Sequence, residues 1–289
     1  MILRESCADC LKRKHTGNYP ADADPRTAAE YQQKVREAVD AGCGRKSSPE
    51  VIQVIQRYYR EYFGPLKDYT DEKKRFNTLM LHIEEEIRKN IEKAEDPMLR
   101  AIQYALVGNY VDFAALGSVD EQKLLEMLGE ADRMLFDAAA YRSFLAELDK
   151  AKRLVYLTDN CGENVADKEL MRLIRSRHPG ISICVIVRGE PVVNDATLED
   201  AGQIGLSEVA DRIIGNGCDL TGHVLSGISQ EAREMLEQAD LIISKGQANH
   251  EGLSGCGLPI YYMLLCKCPL FMELYHAPMF SPVLAREPE

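Results

Sequence analysis

The feature that most constrains this chain is a change of pattern near residue 152. Beyond it, short apolar or β-branched runs at 153–158 (RLVYLT), 181–187 (ISICVIV), 210–214 (ADRII), 240–244 (DLIIS) and 269–273 (PLFME) are separated by helix-length segments. Runs of this kind, apolar throughout rather than alternating, are strands buried on both faces, and their spacing with helices implies βαβ units. Before residue 150 the periodicity is helical instead. Val51, Ile52, Val54, Ile55, Tyr58, Tyr59 and Tyr62 recur at three- and four-residue steps, behind a Ser47-Ser48-Pro49-Glu50 start signal. Leu79, Ile83, Ile87 and Ile91 form a stripe along a helix expected over 70–95. Asp96-Pro97 opens a further helix ending near Gly108, and two more follow Ser118-Val119-Asp120 and Glu130. The expected fold class is therefore α/β: a Rossmann-like, mostly parallel sheet with helices on both faces over 151–289, joined to an α-helical N-terminal domain over 1–150.

Charge narrows the partners. Residues 1–150 carry 23 basic and 27 acidic groups (−4) and residues 151–289 carry 12 and 19 (−7), for a net −11, so neither half is a basic nucleic-acid-binding module. No run approaches the ~18 apolar residues that cross a bilayer, and the start, MILRESCADC, meets a charge at Arg4. A cytoplasmic protein with no membrane or nucleic-acid partner is expected. The nine cysteines are an odd number in a chain large enough to fold without disulfides, which favours a reducing compartment. No second CxxC stands at zinc-finger spacing.

In open α/β sheets ligands bind beyond the carboxyl ends of the strands. Those ends are polar here: Asp159-Asn160-Cys161-Gly162-Glu163 after the first run, Asn194-Asp195-Ala196-Thr197 after the second, Gly215-Asn216-Gly217 after the third, and Lys245-Gly246-Gln247-Ala248-Asn249 after the fourth. Asp159, Asn160 and Asp195 offer only oxygen, the hard donor set suited to Mg²⁺ or Mn²⁺. Lys245 supplies a cation, and Gly162 and Gly246 would let backbone N–H groups approach an anion. Taken singly, Asp159-Asn160 most often reads as a turn or helix cap, as the other groups can; their occurrence together after successive strands of one sheet weakens that reading. Missing patterns prune the alternatives: there is no GxGxxG, no GxxxxGK[ST], no HExxH, and no DxD at the first strand end.

Three motifs carry a resemblance: Asp159-Asn160-x-Gly162-Glu163-x-x-x-Asp167, Pro191-x-x-Asn194-Asp195-Ala196-Thr197-x-x-Asp200, and Lys245-Gly246-Gln247-Ala248-Asn249-x-Glu251. With Asp96-Pro97-Met98-Leu99-Arg100-Ala101 and Gly108-Asn109-Tyr110-Val111-Asp112-Phe113 in the helical half, they resemble the damage-control phosphatases, first catalogued as domain of unknown function 89. Cys7-x-x-Cys10 and Lys267-Cys268-Pro269 resemble its mainly prokaryotic subgroup. The resemblance implies a metal-dependent phosphatase acting on small phosphorylated metabolites, such as sugar phosphates or damaged cofactor intermediates. It assigns Asp159, Asn160 and Asp195 to a divalent metal (Mn²⁺, Mg²⁺, Co²⁺ or Ni²⁺). His250 departs from the family, where an aromatic residue is common.

On this reading Lys245 and amides around Gly246 hold phosphate oxygens, with Asn194, Thr197 and Asn249 nearby. Glu163 or Asp159 orients the nucleophile or acts as base. Asn109 and Asp112, three apart, reach in from the helical half to hold substrate hydroxyls or simply cap a helix end. Two other readings compete: a methyltransferase or nucleotide-sugar enzyme on a similar sheet, and a non-enzymatic metal- or redox-sensing protein. The second would use Cys7 and Cys10 with Cys43, His15 or Cys268. Cys266 and Cys268 form a CxC of undecided role, and the substrate and oligomeric state stay open.

Overall fold

The computed structural model describes residues 1–287, so the last two positions of the expected α/β half lie outside it. Eight helices come first: α1 (Glu5–His15), α2 (Pro25–Gly42), α3 (Ser48–Phe63), α4 (Thr70–Glu92), α5 (Pro97–Gly108), the single turn α6 (Phe113–Leu116), α7 (Glu121–Gly129) and α8 (Ala138–Leu148). Their starts follow from local chemistry. Ser47 and Glu50 close a capping box on α3, and the Asp96 carboxylate accepts from the amides of Met98 and Leu99 to start α5.

The sheet then begins at β1 (Arg153–Leu157) and continues through β2 (Ser182–Val187), β3 (Arg212–Gly215), β4 (Leu241–Lys245), β5 (Ile260–Leu265) and β6 (Pro282–Arg286). Its order is β3-β2-β1-β4-β5-β6, with β1 to β5 parallel and β6 antiparallel to β5. The connecting helices are α9 (Glu163–Arg177), α10 (Leu198–Gln203), α11 (Gln230–Glu237), α12 (Gln247–Leu253) and α13 (Pro269–Leu274). Strand order reverses between β1 and β4, so the loops leaving these two strands flank the switch point where such sheets open a crevice.

Two expectations are corrected. The run 269–273 is helix α13, not a strand: Pro269 stands at its first position, where a missing N–H costs nothing, and Leu270 and Phe271 turn inward together. The fifth strand is instead Ile260–Leu265, a fully buried apolar run, and the antiparallel β6 also went unanticipated.

Because strand side chains alternate, the sheet serves two cores. Leu154, Tyr156, Ile183, Val185, Ile243 and Met263 face one side, where they join α4, α5, α7, α8 and α9 in a single cluster that crosses residue 150 without a break. Val155, Leu157, Ile186, Ile242, Tyr262 and Leu264 face the other, against α11 and α13. A third, smaller core gathers Leu3, Tyr31, Val35, Val39, Val51 and Ile55 from α1 to α3. Among the described residues no helix is long and apolar enough to cross a membrane.

Candidate active site

The loops leaving β1 and β2 are zipped together. Asn160 and Asp195 form an isolated antiparallel bridge, Cys161 N–H donates to the Asn194 carbonyl at 2.8 Å, and Ala196 N–H donates to that of Asp159 at 2.9 Å. This pairing brings Asp159, Asn160 and Asp195 to one spot, all buried. Val193, just before it, has φ of 46°, a left-handed conformation that a β-branched residue adopts only under constraint. Gly246, leaving β4 with φ of 79°, has its own reason to be glycine: a Cβ there would stand 1.9 Å from Asp159 Oδ2.

Around that spot lies a buried charge network. Asn109 Nδ2 donates to Asp159 Oδ2 at 3.2 Å and to both oxygens of Glu163 at 3.0 Å, and Asn160 Nδ2 donates to Asp159 Oδ2 and Glu163 Oε2 at 2.8 Å each. Lys245 Nζ meets the Ala105 carbonyl at 2.6 Å, Asp167 Oδ1 at 2.7 Å and Glu163 Oε1 at 3.1 Å. Tyr156 donates its hydroxyl to the same Asp167 oxygen at 2.8 Å. Lys267 Nζ pairs with Asp112 Oδ2 at 2.7 Å, and Asp112 Oδ1 accepts from Ala115 N–H to cap α6.

Arg188, the largest fully buried side chain, was not anticipated. Its Nε donates to Asp195 Oδ2 at 2.6 Å, Nη2 to Asp159 Oδ1 at 3.3 Å and to the Thr221 carbonyl at 3.0 Å, and Nη1 to Asn249 Oδ1 at 2.9 Å. His223 Nδ1 stands 2.8 Å from both Arg188 Nη1 and Asn249 Oδ1. An arginine at the end of the buried run ISICVIV, where no solvent awaits it, was the available signal.

The electrostatics follow from burial and from number. Five carboxylates (Asp112, Asp159, Glu163, Asp167, Asp195) face three cations (Arg188, Lys245, Lys267), all buried, which leaves a formal excess of two negative charges. Burial, then repulsion from Asp195 and Glu163, lifts the Asp159 carboxyl well above the usual range despite Arg188. Asp195 is pushed up to about 6 by burial, against the pull of Arg188. Asp167 rises to about 7, again by burial, with Lys245 opposing. Burial alone would lower Lys245, but Asp167 and Glu163 outweigh it and hold its pKa above the ordinary value.

Several groups expected to face a ligand are paired within the protein. Lys245 directs its protons at protein oxygens and has none left for a phosphate. The Gly246 N–H is engaged by the Met263 carbonyl, and the Gly162 N–H by Asn77 Oδ1 at 2.7 Å. Thr197 caps α10 in a box with Asp200, and Asn194 straps the loop to Val111 and Phe113. Asn249 donates to the carbonyls of Thr158 and Lys245 and so presents its oxygen to Arg188. Asp112 is an ion-pair partner and cap, whereas Asn109 does reach the carboxylates from the end of α5. His250 is packed among Tyr262, Phe271 and Tyr275, filling the aromatic slot the family leads one to expect there.

All nine cysteines are free thiols. Among the described residues no group of three or more His, Cys, Asp or Glu side chains stands in an arrangement that would hold a metal ion. At the switch point two carboxylates and an amide converge, with Arg188 between the carboxylates. Oxygen donors and a local deficit of two positive charges fit a hard divalent cation in chemistry and in charge.

Taken over nearly its whole length, sheet and covering helices together, the chain is similar to the damage-control phosphatases. The model of the damage-control phosphatase ARMT1-like domain matches residues 3–282, and the chain belongs to that family. A damage-control phosphatase of Archaeoglobus fulgidus is 34% identical over 218 residues, 74% of each chain. An uncharacterized protein of Methanocaldococcus jannaschii, MJ0202, is 30% identical over 278 residues, 92% of this chain and 89% of its own. The crystal structure of a DUF89 family protein from Pyrococcus horikoshii covers 100% of both chains with TM-score 0.80 at 22% identity, a likeness of fold.

Proposed function

We propose that this protein is a metal-dependent phosphomonoester hydrolase of small phosphorylated metabolites, with Asp159, Asn160 and Asp195 as the residues that hold its divalent ion. The observation that carries this reading is the convergence of the buried Asp159 and Asp195 carboxylates with the Asn160 amide at the switch point, in a cluster where carboxylates formally outnumber cations by two. Such a cluster is costly unless a cation completes it. When bound, the ion supplies a Lewis acid for a phosphoryl oxygen and neutralises charge developing there.

The chain's own residues then divide by what they touch. Asp159 and Asp195 are the ligating carboxylates. Glu163 accepts from Asn109, Asn160 and Lys245, so its role is to fix the Asn160 amide rather than to abstract a proton. Lys245 holds Glu163 in place and is itself held by Asp167. Thr197, Asn194 and Asn249 fix the loops that carry these groups, and Mn²⁺, Mg²⁺, Co²⁺ or Ni²⁺ fits the donor set.

The test is phosphate release from p-nitrophenyl phosphate and a panel of sugar phosphates by chelator-stripped protein. Activity should appear on adding Mn²⁺ or Co²⁺ and vanish in Asp159→Ala and Asp195→Ala. Equal turnover with and without metal, or undiminished turnover in either variant, overturns the reading.

A further inference from the structure

We propose that Arg188 is a resident counter-cation: it clamps Asp159 and Asp195 together while the metal is absent, and its charge weakens and thereby tunes metal binding once the ion arrives. The inference rests on the metal-site reading above.

The geometry is that of a fork closed on two carboxylates. One guanidinium donates through Nε to Asp195 and through Nη2 to Asp159, so a single planar group spans both ligands. The rest of the guanidinium is occupied: Nη2 also meets the Thr221 carbonyl, and Nη1 meets Asn249 and His223. With 1% of the residue exposed, this arginine has no free edge for a substrate phosphate. It is therefore a positioning residue, not a catalytic one.

Its surroundings are built to keep it so. Asn249 is itself oriented by donating to the carbonyls of Thr158 and Lys245, which turns its oxygen toward Nη1. His223 is buried beside the guanidinium, and burial, then that neighbouring charge, push its pKa down to about 3, so the ring is neutral and adds no competing positive charge. Gly222 and Gly252 permit the close packing, since a Cβ would stand 2.3 Å from the Ala248 carbonyl oxygen and 2.0 Å from that of His223 respectively.

Two consequences follow from electrostatics. Without Arg188, Asp159 and Asp195 would repel each other across a dry site, so the metal-free protein depends on it. With a divalent ion bound to those carboxylates, Arg188 is a like charge at close range, so deleting it strengthens metal binding. A residue that merely packs would do the first and not the second.

The experiment compares wild type, Arg188→Met and Arg188→Lys by thermal melting with chelator and with saturating Mn²⁺, and by calorimetric titration of Mn²⁺ into stripped protein. Arg188→Met should melt well below wild type in chelator, regain most of the loss in Mn²⁺, and bind Mn²⁺ roughly tenfold tighter or more, a shift of about 1.4 kcal/mol. Arg188→Lys keeps the charge but loses the fork. It should melt below wild type yet bind Mn²⁺ within about threefold of it. Equal melting losses with and without Mn²⁺, or unchanged or weaker Mn²⁺ binding in Arg188→Met, overturn the inference. So does tenfold tighter binding in Arg188→Lys. A wild type that binds no Mn²⁺ overturns the metal site itself, and this inference with it.

Discussion

Lys245 separates the sequence-based role of phosphate ligand from the structural role of internal counter-ion. In Lys245→Met a chain of similar length replaces the ammonium, while Glu163 and Asp167 remain buried without the cation that faced them at 3.1 and 2.7 Å. Removing one partner of a buried ion pair costs about 3–5 kcal/mol. Against a typical total of roughly 5–15 kcal/mol, the variant should stay folded with a fraction of its stability. At about 2 °C per kcal/mol for a chain of this size, the melting point should fall by roughly 6–10 °C. The chain has no tryptophan, so urea unfolding is best followed by far-UV circular dichroism. The midpoint should move with an unchanged slope.

The loss should also depend on pH in a specified direction. Asp167 already sits at about 7 in the fold, above its unfolded value near 3.9, so the native state binds more protons than the unfolded one between those limits. Stability from this group falls as pH rises through that window, and deleting Lys245 raises the folded value further. The deficit of Lys245→Met should therefore be smallest near pH 4–5 and largest above pH 7. Adding Asp167→Asn should make the double variant more stable than the sum of the singles by roughly 1–3 kcal/mol. A Lys245→Met protein within about 1 kcal/mol of wild type, with a raised KM for phosphate esters, would refute the reasoning and restore Lys245 to the phosphate.

Gly246→Ala should abolish Mn²⁺ binding measured by titration, because the new methyl overlaps Asp159 Oδ2 and φ of 79° disfavours any side chain. Asp96→Ala removes the acceptor for the Met98 and Leu99 amides and for the Tyr141 hydroxyl, and should cost about 1–2 kcal/mol in urea unfolding without altering Mn²⁺ binding. In His250→Phe the ring that burial holds down at about 4 is replaced by one that cannot titrate. A group with a depressed folded pKa of this kind costs the fold stability as pH drops from 6.5 toward 4, so the variant should lose less stability than wild type between pH 7 and pH 5.

Much of this was legible because it is local. Buried parallel strands read as apolar runs, helix starts as Ser or Asp before proline, and the strand-end motifs as a cluster at one edge. The run at 269–273 misled because periodicity cannot tell a short buried helix from a buried strand, and only Pro269 at its first position breaks the tie. The structure brings Asp159, Asn160, Glu163, Asp195 and Asn109 together and pairs several of the other candidates with the protein itself. Thr197, Asn194 and Asn249 look like ligand groups in sequence, yet each is spent on backbone amides, carbonyls or Arg188. Which polar group faces a ligand and which holds a loop is decided by pairing across the fold, between residues as distant as Asn109 and Leu265. Arg188 escaped notice for the same reason, since its partners come from four separate segments.

The most direct measurement is Mn²⁺ bound per chain, followed together with phosphate release as stripped protein is titrated. The account predicts one Mn²⁺ per chain, activity rising in proportion to occupancy, and loss of both in Asp195→Asn. Phosphate release that is complete before any Mn²⁺ binds, or full occupancy that survives Asp195→Asn, would contradict it.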